Sequence, residues 1–141
     1  MNKYTDDLYI KLFQALSRVD KAIRSKLDEA NHDFAPSSLQ VLLILFEEDG
    51  QHPSKLAQKT GRLTTSFTPI IDALEYAKYI ERKPSKKDRR AVHIYLTEKG
   101  KALKEEFLQI SREAKDNYTS GLSEMDMETL EGLLQKFIDA E

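Results

Sequence analysis

The 141-residue chain contains no cysteine. Disulfides, thiolate metal sites, cysteine nucleophiles and thiol redox switches are therefore excluded, and a reducing compartment suits the chain. Long apolar runs are also missing. The longest, Val41 to Phe46, is far too short to span a bilayer, so no membrane association is expected. The first residues, MNKYTDDLYIKLF, show no basic stretch followed by an apolar run. No signal peptide is expected, and a cytoplasmic protein is. There is no Gly-rich phosphate loop, no Ser/His/Asp set within a supporting motif and no metal cluster, so neither a cofactor nor an enzyme is expected. Three histidines, His32, His52 and His93, are scattered. His32 beside Asp33 offers two ligands with no third at ligand spacing, which favours a surface or capping role. No internal repeat, linker or low-complexity tract interrupts the chain.

What is present is charge, unevenly placed. Hydrophobic residues make up 40% and charged residues 33%, and the net charge is only −2. Yet residues 51–100 hold 11 Lys and Arg against 5 Asp and Glu, while the remainder holds 11 against 19. A basic middle between acidic ends points to one region that meets a polyanion. The lean apolar content beside long helices points to surface buried between subunits.

Periodicity predicts a helix from Thr5 to Ala30 with the stripe Leu8, Leu12, Leu16, Val19, Ile23, Leu27 and Ala30. At about 1.5 Å per residue it is longer than a small core needs, so part of it should pack elsewhere. A second helix, capped by Ser37 or Ser38 and running to Glu48, is apolar nearly all round and should be central. A short helix Pro53–Lys59 follows, broken by Gly61. The next starts near Thr65 or Ser66 and runs to Ala77, with Pro69 expected inside its first turn. Residues 79–83 and 91–96 alternate with period two and read as a hairpin around the polar turn Pro84–Arg90. Thr97 caps a long helix from Glu98 to Thr119, and Ser123 with Asp126 resembles a capping box opening the last one.

Two short helices joined by a Gly-containing turn are a helix-turn-helix. In the second helix Thr64, Thr65, Ser66, Thr68 and Asp72 are the candidates to face outward into a major groove, the hydroxyls otherwise serving as caps. The hairpin adds Lys83, Lys86, Lys87, Arg89 and Arg90 on or beside one protruding turn. Such a tip can enter the minor groove, with Asp88 clamping an arginine. Phe13, Leu16, Phe34, Leu42 and Phe46 are candidate lining for an effector pocket, each also a plain core candidate.

The stretch Leu56-Ala57, Thr68 to Glu75, Ile80 to Arg82, Asp88 to Arg90 and Ile94 to Gly100 resembles the MarR family pattern. Its most specific parts are the wing motif Asp88-x-Arg90 and the exit Leu96-Thr97-x-x-Gly100. The resemblance covers nearly the whole chain. It implies a mainly α fold with a small β-hairpin wing: a winged helix-turn-helix lobe at 35–97, with dimerisation helices at 1–31 and 98–141. It implies a homodimer on a pseudo-palindromic DNA operator, with Arg90 as the minor-groove arginine. It also implies a transcriptional regulator, more commonly a repressor, released by a small-molecule effector. The alternative is a dimeric winged-helix adaptor without DNA binding. Lys78 stands where the family often has Gly. Pro69 occurs in a subset that includes relatives of the organic-peroxide sensors, but without cysteine the thiol mechanism of that subset cannot operate here.

Overall fold

The computed structural model describes residues 7–140. Helix α1 (Leu8–Glu29) opens where Asp7 accepts the backbone N–H of Tyr9 at 2.9 Å. The expected start at Thr5 lies outside the described residues. Helix α2 (Pro36–Glu47) is the hub of the lobe, burying Leu39, Val41, Leu42, Leu45 and Phe46. Helix α3 (Pro53–Thr60) starts on a proline whose missing N–H costs nothing at the first position. The His52 ring caps it, Nδ1 accepting the Ser54 N–H at 3.1 Å. Gly61, at φ +70°, turns the chain into helix α4 (Thr64–Tyr76).

Strands β1 (Ile80–Pro84) and β2 (Val92–Leu96) pair antiparallel with Ile80 opposite Leu96 and Arg82 opposite Ile94. The period-two pattern thus sends Ile80, Ile94 and Leu96 into the core and leaves Glu81 and Lys83 outside. Gln51 bridges Ile94 on the far side of β2, a one-residue third strand. Leu56, Phe67, Ile71 and Leu74 from the two short helices close the same core, which reaches Leu27 of α1 and, further along the chain, Phe107. Each fully buried Leu, Ile or Phe contributes about 1.5–3 kcal/mol, so the lobe is held by its own residues.

The remaining helices are α5 (Glu98–Lys101), α6 (Lys104–Tyr118) and α7 (Glu124–Asp139). Helix α6 lies along α1 and buries Phe107, Ile110 and Ala114. Helix α7 opens on the expected capping box, with Ser123 and Asp126 exchanging backbone and side-chain hydrogen bonds at 3.0 Å each. Yet it buries no residue at all. Among the described residues no helix is long and apolar enough to cross a membrane.

Several local expectations need correction. Helix α2 begins at Pro36 with Ala35 as its uncapped N-cap, so Ser37 and Ser38 fall inside the first turn. Proline's fixed φ sets that start one or two residues earlier than the serines would. Pro69 is the sixth residue of α4, beyond the first turn. It leaves the Thr65 carbonyl without its helical donor, tolerable because Thr65 is exposed to water. The expected continuous helix 98–119 is broken between α5 and α6. Leu103 N–H bonds back three residues to Gly100 at 3.1 Å, a tight turn that interrupts the helix.

Candidate nucleic-acid interface

Helix α4 presents its hydroxyls outward. Thr64, Thr65, Ser66 and Thr68 are all exposed, while Phe67, Ile71 and Leu74 hold the opposite face in the core. None of the four caps the helix: the N-cap is Leu63, without a side-chain hydrogen bond. Thr68 donates to the Thr64 carbonyl at 3.1 Å. These side chains are therefore available at the N-terminal half of a protruding helix, where backbone N–H groups and the helix dipole favour a phosphate.

The hairpin tip is built to hold one arginine. Ser85 is buried and closes the turn, its N–H donating to the Ala91 carbonyl at 2.8 Å and its hydroxyl accepting from Lys87 N–H at 3.2 Å. Asp88 Oδ1 accepts the Arg90 N–H at 3.0 Å and Arg90 Nε at 3.4 Å. The Arg90 side chain is nonetheless 94% exposed. An exposed ion pair of this kind adds little stability. Its effect is to restrict which way the guanidinium points. Lys86, Lys87 and Arg89 stand exposed on the same turn. Lys83 lies lower, over the Tyr95 ring at 4.6 Å and beside Glu81 at 3.3 Å.

Asp72 faces outward as expected, but it is occupied. Arg82, from β1, donates to Asp72 at 2.9 Å and to Glu75 through its other terminal nitrogen. Burial works against the Arg82 charge, but the hydrogen bonds and charges of Asp72 and Glu75 outweigh it and raise its pKa above the ordinary arginine value. This brace fixes the wing against α4. Sequence reading missed Arg82 as a functional position. The available signal was a charged residue at an inward-facing strand position, with two carboxylates three residues apart on the preceding helix.

The exit motif locks the same seam from the other side. Lys78 adopts φ +71°, the left-handed geometry expected where a glycine is replaced. Its carbonyl accepts from the Thr97 hydroxyl at 2.6 Å, and Thr97 Oγ1 in turn accepts the Gly100 N–H at 3.1 Å. A Cβ on Gly100 would collide with the Tyr79 carbonyl oxygen, which explains a glycine there. Lys99 caps the end of α4, donating to the Ala77 carbonyl at 2.8 Å.

A family model described as the MarR family matches residues 34–92, which run from just before α2 into β2. Over 131 residues the chain is 32% identical to the transcriptional repressor MprA of Escherichia coli K12, spanning 87% of this chain and 74% of that protein. The chain belongs to the MarR family of transcriptional regulators. Solved structures agree on the fold. The transcriptional repressor CouR bound to a 23-mer DNA duplex superposes with a TM-score of 0.80 at 25% identity, covering 97% of this chain and 96% of that one. CouR from Rhodococcus jostii RHA1 bound to p-coumaroyl-CoA gives 0.83 at 22% identity, covering 97% and 95%.

In this regulator the five residues proposed to line an effector pocket are not gathered around one cavity. Leu42 and Phe46 are core. Phe34 packs edge-on against Tyr79 and Phe107 at centroid distances of 5.0 and 5.2 Å. Phe13 and Leu16 are exposed on α1. Phe34 lines one cleft with His32, Ala73 and Tyr79, and Leu16 lines another, between α1, α2 and α6. The latter, of about 370 Å³, has Val19, Ile23, Leu39 and Leu43 as its apolar wall and Asp20, Arg62 and Tyr118 among its polar groups. Burial pushes the Tyr118 phenol above its ordinary pKa. The histidines are structural. His32 contacts Glu106 and packs edge-on against Phe107, His52 caps α3, and His93 donates from Nδ1 to the Gly50 carbonyl at 2.9 Å. No group of three or more metal-ligating side chains forms among the described residues.

Proposed function

We propose that this MarR-family regulator binds pseudo-palindromic double-stranded DNA as a homodimer and releases it when a small molecule fills the cleft beside α1, α2 and α6. The observation that carries the reading is the wing. An arginine left almost wholly exposed, oriented by its own aspartate, stands beside a helix whose outward hydroxyls have no capping duty. The recognition helix would enter the major groove through Thr64, Thr65, Ser66 and Thr68, with Asp72 kept back as a brace. The wing would place Arg90 in the minor groove, and Lys83, Lys86, Lys87 and Arg89 would neutralise phosphates.

Residues 35–97 would form the DNA-binding lobe, and 1–31 with 98–141 the dimerisation helices. Apolar side chains left open on α1 (Leu8, Tyr9, Leu12, Phe13) and α7 (Leu130, Leu133, Leu134, Phe137) supply the material for a self-complementary interface. The cleft volume suits a small ligand. Because the cleft sits between α1 and the Gly61–Arg62 turn that leads into α4, filling it would shift the recognition helix relative to its dimer mate. The likeness to MprA favours repression, and to CouR a small-molecule effector; the regulator would work in the cytoplasm without a catalytic step.

The test is fluorescence-anisotropy titration of the purified protein against the duplex upstream of its own gene, at two salt concentrations. Tight binding that falls steeply with salt, and exceeds that to a scrambled duplex, supports the reading. No binding to either duplex at low salt removes it.

A further inference from the structure

We propose that α4 reads thymine methyl groups, with Thr65 and Pro69 as specificity-determining residues, and that the operator half-sites are A·T-rich where this helix enters the major groove. The inference rests on the DNA-binding reading above and adds the chemistry by which bases are told apart.

In the major groove guanine is read by Arg or Lys on O6 and N7, adenine by Asn or Gln, cytosine by a carboxylate on N4, and thymine by apolar contact with its C5 methyl. From Thr64 to Tyr76 the recognition helix contains no Arg, Lys, Asn or Gln. Its two carboxylates, the cytosine readers, are Asp72 and Glu75, and both are bonded to Arg82. Arg82, the guanidinium bonded to that face, is tied down by the same two contacts, and Arg62, just before the helix, donates to Gln40 at 3.2 Å. The groups that would read G·C pairs thus satisfy one another across the seam.

What remains outward is apolar or hydroxylic. At about 100° per residue, the direction opposite buried Phe67, Ile71 and Leu74 belongs to Thr65 and Pro69, both exposed, with Tyr76 at the far end. Thr65 and Pro69 are one turn apart, about 6 Å along the axis, in the half of the helix that meets base edges in this class of motif. Together the Thr65 methyl and the Pro69 ring form an apolar strip facing the groove. The wing works in the same direction, because an arginine in the minor groove favours the narrow groove of A·T tracts.

The experiment selects duplexes from a random-sequence library with the full-length protein, then titrates the enriched duplex by anisotropy with single base-analogue replacements. Uracil for thymine deletes only the C5 methyl; 7-deazaguanine for guanine deletes only the N7 acceptor. A·T pairs should dominate the positions under α4. Uracil at one or two thymines per half-site should weaken binding about fourfold each, the value of one buried methyl. 7-Deazaguanine should change binding by less than about twofold, since no bidentate contact is lost. Thr65→Ser, which lacks only the methyl, should bind thymine and uracil duplexes alike at one position, whereas Thr65→Val should keep the discrimination. A 7-deazaguanine penalty of about tenfold or more, the size of a lost bidentate contact, overturns the proposal while the DNA-binding reading stands. So does a uracil series without effect. Failure to enrich any sequence removes the DNA-binding reading itself, and this proposal with it.

Discussion

The lobe built from α2, α3, α4 and the hairpin, and the arms built from the N-terminal half of α1 and from α7, solve the problem of apolar surface in opposite ways. In the lobe, Leu39, Leu42, Leu45, Leu56, Ile71, Ile80 and Ile94 are each 0–1% exposed. In the arms, Tyr9, Phe13, Leu16, Leu133, Phe137 and Ile138 are each 55–70% exposed. A groove of about 760 Å³ between α1, α6 and α7 is lined mainly by apolar side chains, Leu12, Leu130 and Leu134 among them. Exposed apolar surface on this scale marks an interaction site. The lobe is complete within one chain; the arms are not. Stability of the lobe should therefore be a property of the sequence, and stability of the arms a property of protein concentration.

The sharpest way to break that contrast is Leu130→Glu. A carboxylate placed in the arm groove and buried unpaired between subunits costs on the order of 4 kcal/mol, about a thousandfold in dimer dissociation. Analytical ultracentrifugation should find monomers, the concentration dependence of Tm should vanish, and operator affinity should collapse because two half-sites are no longer held together. A variant that stays dimeric would mean that the arms are covered by something other than a second copy.

Arg90→Ala should act on the other region alone. DNA affinity should fall by about 1–3 kcal/mol, some 5- to 150-fold, while dimerisation and Tm stay unchanged. Undiminished affinity would take the wing out of the interface and leave the recognition helix as the sole contact.

The contrast also explains what could be read from sequence. Elements that bury a face against their own chain announce themselves by period: Leu56 and Ala57 on α3, Ile71 and Leu74 on α4, Ile94 and Leu96 on β2 stand at helical or alternating spacing and are all buried. Leu103, Phe107, Ile110 and Ala114 keep an unbroken helical spacing, so the turn between α5 and α6 left no trace. Arg82 was invisible as a brace because its partners come from another element, and an ion pair has no period. The effector list failed to converge for a related reason. Phe13 and Leu42 are alike as apolar helix residues, and only the packing decides that one is 58% exposed and the other 0%.

Two backbone positions at the lobe's seam give smaller effects. Gly100→Ala forces a Cβ onto the Tyr79 carbonyl, backbone against backbone, and should cost about 1–3 kcal/mol, a Tm loss of roughly 3–10 °C. Because this seam lies within one subunit, the loss should be the same at every protein concentration. Lys78→Gly should go the other way. A side chain held at φ +71° costs about 1–2 kcal/mol, and glycine relieves it at the expense of added freedom in the unfolded chain. The net gain should be about 0.5–1 kcal/mol by chemical denaturation, with DNA affinity unaltered because the carbonyl that Thr97 bonds remains in place. A loss of stability instead would mean that the lysine side chain makes a contribution exceeding the strain it imposes. The seam would then be held by more than the Thr97 and Gly100 hydrogen bonds, and the lobe would depend on a surface charge just where its backbone is most constrained.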